Sequence, residues 1–521
     1  MTSPDISPSE AKTLDADEAY LKSLGYEQTF ERKISLWGNF ALGFVYLSPM
    51  VGVVAMFGVG LAIAGPPAIF WIILVGMGQF LVALVFGEIV SQFPLAGGIY
   101  QWARRLWGGR YAWQMSWQYI WCIMIAIATT ALFGSDFVVS LFKGTADEPS
   151  VTATPTEKLW ITLAMLGICL LFNLTGTRTL ALIAKIGLAG ELIGIIVVGL
   201  YLLVFERKQE FSVFFDSLGA GGSDGYIKAF LGASLVGLLL FYGFEACGEV
   251  AEETPNPARS IPRAMQMTVG IGGAAALLAY GGFVLAAPNL PAIISGDDSN
   301  PIPTIMQDSI GTVGTKIFLV VALTSFLAGV MSQQAAASRL VFSFARDDMF
   351  PGSRIFKKVS ETRHHLPVNA LLAINVVPVL LTVFNYFSPD GLLRIAAFQV
   401  LAGYVAFQMV VLAALRARIR GWRPAGIWNL GRFGMVINVA ALAYGILACI
   451  MLAKPTGAAN LPFFDRWTAL LGFIIVSALG LTYMLITKPQ LKSNAPEGDA
   501  IEVADRIRVA RQHLTENATA R

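Results

Sequence analysis

Long apolar runs separated by short polar segments dominate the chain from residue 36 to residue 487. An α-helix needs roughly 18 to 20 apolar residues to cross a hydrocarbon core of ~30 Å, and twelve runs reach about that length. The runs are continuous rather than alternating, which favours helices over the strands of a barrel. We therefore predict an all-α polytopic membrane protein with twelve transmembrane helices, at residues 36–63, 67–92, 112–142, 158–174, 179–205, 227–251, 264–288, 314–344, 367–388, 391–415, 432–453 and 466–487.

The first and sixth of these spans contain residues that disrupt a helix. Span 1 carries Ser48 and Pro49 in its middle, and proline removes a backbone donor and clashes with the preceding turn. Span 6 carries Gly243 two residues before Glu245, a glycine close to a carboxylate. Either feature alone is explained by a kink in a packed bundle. Two interruptions at matching positions of spans 1–5 and 6–10 are instead typical of a transport site between two repeats.

The spans divide the chain into a polar tail at 1–34, a core of ten helices at 35–415, two further helices at 416–487 and a polar tail at 488–521. With both tails in the cytoplasm, 26 of the 37 Lys and Arg residues fall in cytoplasmic segments and 7 in external loops. This asymmetry predicts that both termini are cytoplasmic. We expect no cleavable signal peptide and a location in the cell membrane, the inner membrane if the protein is bacterial.

Composition excludes several classes of protein. Hydrophobic residues make up 55% of the chain and charged residues only 14%, against ~25% in soluble domains. The four cysteines lie within or beside apolar runs without a Cys-x-x-Cys pair, and none of the three histidines lies in a predicted span. We therefore expect no disulfide framework, no metal site, no cofactor and no nucleic-acid partner, and we exclude an ordinary soluble enzyme.

Three ordered motifs carry a family resemblance. Span 6 ends with residues 241–245 followed by Glu-Glu-Thr-Pro-Asn-Pro-Ala-Arg-Ser-Ile-Pro-Arg-Ala at 252–264, span 2 ends with Gly-Glu-Ile-Val-Ser-Gln-Phe-Pro-Leu-Ala-Gly-Gly-Ile-Tyr at 87–100, and span 8 ends with Arg-Leu-Val-Phe-Ser-Phe-Ala-Arg-Asp at 339–347. Over residues 35–487 the chain resembles the amino acid–polyamine–organocation transporter superfamily. The Gly-Pro-Pro at 65–67 and the Gly-Gly-Ile-Tyr at 97–100 are most similar to the amino acid/choline transporter branch.

The resemblance implies a LeuT-type fold, in which helices 1–5 and 6–10 form inverted repeats and helices 11 and 12 are peripheral. It also implies secondary transport by alternating access, with a small amino acid or amine bound between the breaks of helices 1 and 6. Helices 3, 8 and 10 would line the same site. Besides substrate and lipid bilayer, we expect a monomer or a weak homodimer. The predicted substrate-binding residues are Ser48, Met50, Val51, Gly52, Phe241, Tyr242, Gly243, Phe244, Glu245, Gln333 and Trp117.

The chain departs from the family in helix 1. Many members carry a glycine-rich triad there whose N–H groups bind a substrate carboxylate, whereas this chain has a bulkier loop with Pro49, which has no N–H. The departure leaves room for an amine or organocation substrate without excluding an amino acid.

Two carboxyl groups in the spans each have two interpretations, because ionisable groups are costly in hydrocarbon. Glu245 either binds a substrate ammonium group or caps backbone donors of the broken helix. Glu191, in the middle of span 5, lies where proton-coupled relatives carry a lysine, and we expect it to bind the coupling ion, H⁺ in preference to Na⁺. The alternatives for Glu191 are a structural hydrogen bond to helix 1 or 8, or a pair with Lys185.

Gln333 and Trp117 also allow a structural interpretation. Polar side chains between membrane helices often hold helices together rather than bind ligands, and tryptophans near helix ends often mark the membrane interface. A third group, at the predicted cytoplasmic ends of spans, is interpreted as an inner gate or structural ion pairs, with Arg339 or Arg346 as partners of Glu88. Its members are Glu88, Glu252, Glu253, Arg259, Arg339, Arg346 and Asp347.

The sequence favours a secondary active transporter of an amino acid or related small amine, coupled to protons. An organocation or amine permease (for choline, ethanolamine, polyamine or γ-aminobutyrate) and an amino acid exchanger remain alternatives. A membrane-embedded enzyme would need several catalytic groups at one depth, and the spans contain only isolated acids. A channel would need a filter-like sequence or an acidic ring, neither of which is present.

Overall fold

The protein is described here from a computed structural model that covers residues 8–221, 225–298, 300–360, 366–388, 391–455 and 462–519. Within these residues the regular structure is helical, apart from an isolated antiparallel bridge between Ser360 and Leu366. This agrees with the predicted all-α class.

The helices of the first half of the chain follow one another with short connections. They are α1 (Pro8–Ser23), α2 (Leu36–Leu47), α3 (Pro49–Ala64), α4 (Phe70–Gln92), α5 (Gly98–Leu106), α6 (Gly109–Lys143), α7 (Pro155–Asn173), α8 (Thr177–Leu192) and α9 (Val198–Phe205). Short 3₁₀ segments lie at Pro66–Ile69 and Phe211–Phe215, and a π-helical turn, Ile193–Val197, joins α8 to α9.

The second half contains several shorter helices between the long ones. They are α10 (Tyr226–Gly232), α11 (Leu235–Leu240), α12 (Ala246–Glu249), α13 (Pro257–Ala286), α14 (Leu290–Ser295), α15 (Pro301–Arg346), α16 (Ser353–Phe356), α17 (Val368–Ala373), α18 (Val376–Phe387), α19 (Leu392–Ile419), α20 (Gly434–Leu452), α21 (Phe463–Arg466), α22 (Thr468–Thr487) and α23 (Ala500–Thr519). Further 3₁₀ turns lie at Ala251–Glu253, Gly431–Phe433 and Pro489–Leu491.

Eleven helical segments of the described residues are long and apolar enough to cross a membrane. They correspond to eleven of the twelve predicted spans. The remaining predicted span, 227–251, is divided into α10, α11 and α12, and only its first part, Tyr226–Leu240, is a shorter apolar helix. Its backbone leaves the helical path between α11 and α12, where the sequence predicted an interruption.

The degree of burial separates central from peripheral helices. In α6 and α19, 83% and 78% of the most apolar window is buried inside the protein, against 28% and 22% in the segments containing α20 and α22. The exposed faces of the peripheral helices are nevertheless apolar, with Val436, Ile475 and Ile486 more than half exposed. Such faces suit a hydrocarbon surrounding, because water would make their exposure costly.

Local sequence explains where several helices begin and bend. Ser35 precedes α2, and its hydroxyl accepts a hydrogen bond from the N–H of Gly38 at 3.2 Å. Thr154 and Glu157 form a reciprocal capping box at the start of α7. α15 starts at Pro301, earlier than the predicted residue 314, and its helical path is broken at Gly311, whose φ is +68°. The predicted span therefore covers only the part of α15 that follows this break.

Candidate functional site

The first interruption lies between α2 and α3 and is centred on Ser48. Ser48 has φ +44° and ψ 83°, a left-handed conformation that is unusual for a residue with a side chain. Its N–H still bonds to the Phe44 carbonyl at 2.7 Å, while Pro49 starts α3 at the position where a missing N–H costs least. The chain therefore leaves one helix and begins another within one residue.

A carboxyl group from a distant helix caps this interruption. Oε1 of Glu191 in α8 accepts hydrogen bonds from the Ser48 hydroxyl at 2.7 Å and from the Met50 N–H at 2.9 Å. Glu191 is completely buried, and Oε2 has no hydrogen-bond partner in the part of the chain that the structure describes. Lys185, its suggested partner, is exposed. The hydrogen bond to helix 1 that the structural interpretation of Glu191 requires is therefore present, and Oε2 is not used in it.

The π-helical turn Ile193–Val197 begins two residues after Glu191. π-helical turns are rare and often lie at functional sites, because they rotate the residues beside them out of the regular helical register. The apolar sequence of this turn contains no proline or polar residue that would have predicted it.

The second interruption, at residues 241–245 between α11 and α12, depends on a glycine. Gly243 has φ +112°, and a Cβ at this position would lie 1.9 Å from Cδ1 of Tyr46. The two interruptions therefore touch through the Gly243 backbone and the Tyr46 ring. The hydroxyl groups of Tyr46 and Tyr242 are also within hydrogen-bond distance, at 3.1 Å.

Glu245 caps the second interruption locally. Its Oε2 accepts a hydrogen bond from the Gly243 N–H at 3.1 Å, and Oε1 accepts one from the Tyr119 hydroxyl in α6. The residue is completely buried. This geometry corresponds to the second of the two interpretations of Glu245, the capping of backbone donors.

A narrow cleft lies beside the two interruptions, with a cavity volume of about 30 Å³. Small-molecule sites are commonly clefts of ~300–1,000 Å³, so this cleft has to widen before it can hold a substrate. Residues from helices α2, α3, α6, α11, α15 and α19 and from both interruptions line it: Tyr46, Leu47, Ser48, Val51, Gly52, Ala55, Thr129, Thr130, Phe133, Leu239, Tyr242, Gly329, Gln333 and Gln399. No charged side chain is among these described lining residues.

Five of the predicted substrate-binding residues line this cleft, namely Ser48, Val51, Gly52, Tyr242 and Gln333. The Gln333 amide also donates a hydrogen bond to the Thr130 hydroxyl at 3.1 Å, which holds α15 against α6.

The other predicted substrate-binding residues have different surroundings. The Met50 N–H is bonded to Glu191, and Gly243 and Glu245 form the second interruption itself. Phe241 lies against Gly76 and Gly273, between α4 and α13. Phe244 packs on Phe86 and Phe407. The Trp117 indole donates to the Val476 carbonyl at 2.9 Å, so it faces the peripheral helix α22.

Four polar lining residues were missed by the sequence reasoning. The Thr129 hydroxyl in α6 donates to Oε1 of Gln399 in α19 at 2.6 Å, and Thr130 accepts from Gln333. Tyr46 is the fourth. A threonine pair and a glutamine within apolar runs were available as signals, but only the packing of α6 against α15 and α19 shows which faces meet.

An ion-pair cluster lies at the end of the bundle that holds the N-terminal segment. It consists of Glu252, Glu253, Arg339, Arg346 and Asp347. The Arg346 guanidinium donates two hydrogen bonds of 3.0 Å to Glu252, and Arg339 Nε donates to Glu253 at 2.8 Å. Both pairs join the segment after α12 to the last turns of α15. Arg259, grouped with them on sequence, is exposed at the start of α13.

Tyr26, from the segment between α1 and α2, inserts into this cluster. Its ring lies 4.2 Å from the Arg346 guanidinium carbon, and its hydroxyl donates to the Asp347 carboxylate at 3.2 Å. Burial, together with the Asp347 charge, raises the pKa of the Tyr26 phenol above its ordinary value, so the hydroxyl stays protonated and can donate. The same segment bonds to the Glu253 carbonyl through the Ile34 N–H at 2.9 Å.

Glu88 does not belong to this cluster, contrary to the suggested pairing with Arg339 or Arg346. It pairs with Arg418 of α19 and accepts the Leu430 N–H at 2.9 Å. The correction follows from packing, because the last turns of α4 face α19 and the loop after it. Within the residues that the structure describes, no group of three or more His, Cys, Asp or Glu side chains could hold a metal ion.

Comparison with known proteins assigns the family. A family model described as amino acid permease matches residues 34–486, nearly the whole chain. The protein belongs to the amino acid permease family. This confirms the resemblance to the amino acid–polyamine–organocation superfamily, and membership makes the chain a multi-pass membrane transporter rather than an enzyme.

Individual relatives of this permease are similar along most of their length. A Candida albicans protein named as a polyamine transporter is 26% identical over 485 residues, covering 89% of this chain and 86% of its own length. The amino-acid permease BAT1 of Arabidopsis thaliana is 24% identical over 467 residues, 85% of this chain and 89% of its own. Its homologue in Oryza sativa is 24% identical over 465 residues, 85% of this chain and 88% of its own.

Proposed function

We propose that this permease is a secondary active transporter that moves an amino acid or a related small amine across the membrane by alternating access. The observation that carries the proposal is the cleft bounded by both helix interruptions. A site between two broken helices can change its exposure when the half-helices tilt, without any chemistry on the substrate. The names of its relatives, amino-acid permeases and a polyamine transporter, agree with this class of substrate.

The architecture that we propose has twelve membrane crossings arranged as two inverted repeats of five helices and two peripheral helices. In this arrangement the divided segment of α10, α11 and α12 is the sixth crossing. Four helix pairs support the repeat, because each helix packs on the one five crossings later: α2 and α3 on α12 and α11, α4 on α13, α6 on α15, and α7 on α18. Such pairing is expected around a pseudo-two-fold axis. We propose that both termini face the cytoplasm and that the protein lies in the cell membrane, and the bias of positive charge along the chain supports this orientation.

For the coupling ion we propose H⁺, bound by Glu191. The carboxyl group is buried, bonded through one oxygen to the first interruption, and its other oxygen has no partner among the described residues. A proton on that second oxygen removes the charge of a buried carboxylate that forms no ion pair within the described residues. Protonation would then weaken the bonds from Ser48 and Met50 and release α3 from α8.

We propose that the ion-pair cluster acts as an inner gate. Glu252 and Glu253 follow the second interrupted span, and the N-terminal segment with Tyr26 precedes the first. The pairs with Arg346 and Arg339 therefore tie the second span to α15, and the contacts of Tyr26 tie the first. Opening towards the cytoplasm has to separate these pairs, and because Glu252, Glu253 and Arg339 are buried, breaking one partner away is costly.

Uptake into proteoliposomes of purified protein tests the function. Labelled amino acids and amines are added outside, with an imposed proton gradient, a sodium gradient or neither. We expect accumulation driven by external acid and collapsed by a protonophore, together with exchange against unlabelled substrate inside. Accumulation that follows sodium and ignores the proton gradient would contradict the coupling proposal, and absence of both uptake and exchange would contradict the transport function.

A further inference from the structure

We infer that the cleft recognises its substrate through the ammonium group and does not require an α-carboxylate. This inference rests on the proposed transport function and concerns the same cleft. It predicts that an amine without a carboxylate is bound better than the amino acid from which it derives, or with a similar Kd.

The N–H groups at the start of α3 are already occupied by the protein. A free helix N-terminus attracts anions because its first N–H groups lack partners. Here Pro49 has no N–H, Met50 donates to Glu191, and Val51 donates to the Ser48 hydroxyl at 3.2 Å. The Gly52 N–H bonds to the Ser48 carbonyl at 2.9 Å. A substrate carboxylate at this place would have to displace Glu191 and Ser48.

The second interruption is occupied in the same way. The Gly243 N–H donates a hydrogen bond to the Glu245 carboxyl group, which also accepts one from the Tyr119 hydroxyl. Each interruption therefore contains a carboxyl group of the chain itself at the place where backbone donors are exposed. A carboxylate brought by the substrate would therefore find these donors already occupied by a carboxyl group of the chain.

The groups that line the cleft suit a cation. Tyr46 and Leu47 end α2, and carbonyl groups in the last turn of a helix lack intrahelical partners and carry its negative dipole end. The aromatic side chains of Tyr46, Tyr242 and Phe133 also line the cleft, and aromatic rings attract cations. No lysine or arginine lines the described cleft, so a buried substrate carboxylate would lack a cationic partner.

Matched pairs of ligands test the inference on the purified full-length protein. Each pair consists of an amino acid and the amine that lacks only its α-carboxylate: serine and ethanolamine, ornithine and putrescine, and leucine and 3-methylbutylamine. The measurement is the Kd of each compound from thermal shift or calorimetry. For a pair that binds, we expect the Kd of the amine to lie below that of the amino acid or within about threefold of it.

Two serine variants show whether the occupied donors are the cause. Ser48→Ala frees the Val51 N–H, and we expect the ratio of the two Kd values to move about threefold towards the amino acid. Ser332→Ala is the matched control, because this buried serine donates to the Leu42 carbonyl at 2.9 Å and does not cap α3. The ratio is taken within each variant, so a general loss of stability affects both ligands alike.

The outcomes separate this inference from the proposed function. A wild-type protein that binds the amino acid about tenfold more tightly than the amine in every pair overturns the inference but keeps the transporter. An equal ratio in wild type and Ser48→Ala overturns the assignment to the occupied helix start. A folded protein that binds no member of any pair and transports none of them contradicts the proposed function and the inference with it.

Discussion

The two interrupted spans are both capped by a buried carboxyl group, but the carboxyl groups come from different places in the chain. At the first interruption the cap is Glu191, which lies on α8 and is 143 residues from Ser48. At the second interruption the cap is Glu245, which accepts a hydrogen bond from the N–H of Gly243, only two residues away. The long-range cap joins two elements that pack on each other, whereas the local cap moves with its own segment.

This difference indicates at which of the two carboxyl groups a change of protonation can affect the packing of another helix. A proton bound or released at Glu191 alters the contact between α8 and the start of α3, so it can bias how these elements sit against each other. The same event at Glu245 alters mainly the conformation of its own interruption and the contact with Tyr119. We therefore propose that the first interruption is the place of coupling and that the second mainly sets the shape of the site.

The largest effect is expected from Gly243→Ala, which changes the backbone conformation of the second interruption. The new Cβ would lie 1.9 Å from Tyr46 Cδ1, at a φ of +112°. We expect transport to be lost and stability to fall by about 1–3 kcal/mol, the usual cost of a strained backbone. Gly270→Ala in α13 is the control, because a Cβ there meets no atom within 4 Å. Normal uptake by Gly243→Ala in proteoliposomes would show that the close approach of the two interruptions is dispensable.

Glu191→Gln comes next, because it removes the proposed proton site and keeps the size of the side chain. The amide oxygen can still accept from Ser48 and Met50, so folding and exchange should continue. We expect accumulation driven by a proton gradient to fall by about tenfold or more and to lose its pH dependence, since each bond to the charged oxygen contributes ~1.5–3 kcal/mol. If Glu191→Gln accumulates substrate in response to a proton gradient as well as the wild type does, Glu191 is not the proton site and the two caps do not differ in this function.

Tyr26→Ala tests the ion-pair cluster, which contacts the segment before the first interrupted span and the segment after the second. Loss of the ring over Arg346 and of the hydrogen bond to Asp347 should favour opening of the proposed inner gate. The thiol of Cys247, which is buried in α12, reports this opening if the other three cysteines are replaced by serine. We expect its alkylation rate to rise by about threefold, since a cation–π contact contributes ~0.5–1 kcal/mol.

The control for this measurement is Ser23→Ala. The Ser23 hydroxyl donates only to the nearby Tyr20 carbonyl and is exposed, so the alkylation rate should equal that of the parent protein. A rate that is equal in Tyr26→Ala and Ser23→Ala would argue that the N-terminal segment does not hold the gate.

The smallest effect is expected from Glu245→Gln. Its amide oxygen can accept either the Gly243 N–H or the Tyr119 hydroxyl, so one bond of the local cap weakens. We expect a loss of stability of about 1 kcal/mol, visible as a lower Tm, with the pH dependence of transport retained. A Glu245→Gln protein that loses pH dependence, as Glu191→Gln is expected to, would place coupling at the second interruption instead.

Much of the architecture was predictable because it depends on local properties of the chain. Eleven of the twelve predicted spans are long helical segments, since a run of apolar side chains without breakers has few other structures available in hydrocarbon. Pro49 and Gly243 predicted the two interruptions through backbone chemistry alone. The division of span 6 follows from the same glycine.

The sequence by itself thus determined that the chain is a helical membrane protein, which spans are broken and which family it resembles, because length, hydropathy and backbone chemistry act over a few neighbouring residues. Tertiary structure decided that Glu191 caps Ser48, that Thr129 meets Gln399, and that Glu88 pairs with Arg418. Each of these contacts joins residues more than 140 positions apart. Their formation depends on how helices rotate and slide against one another, and that is set by the packing of the whole bundle.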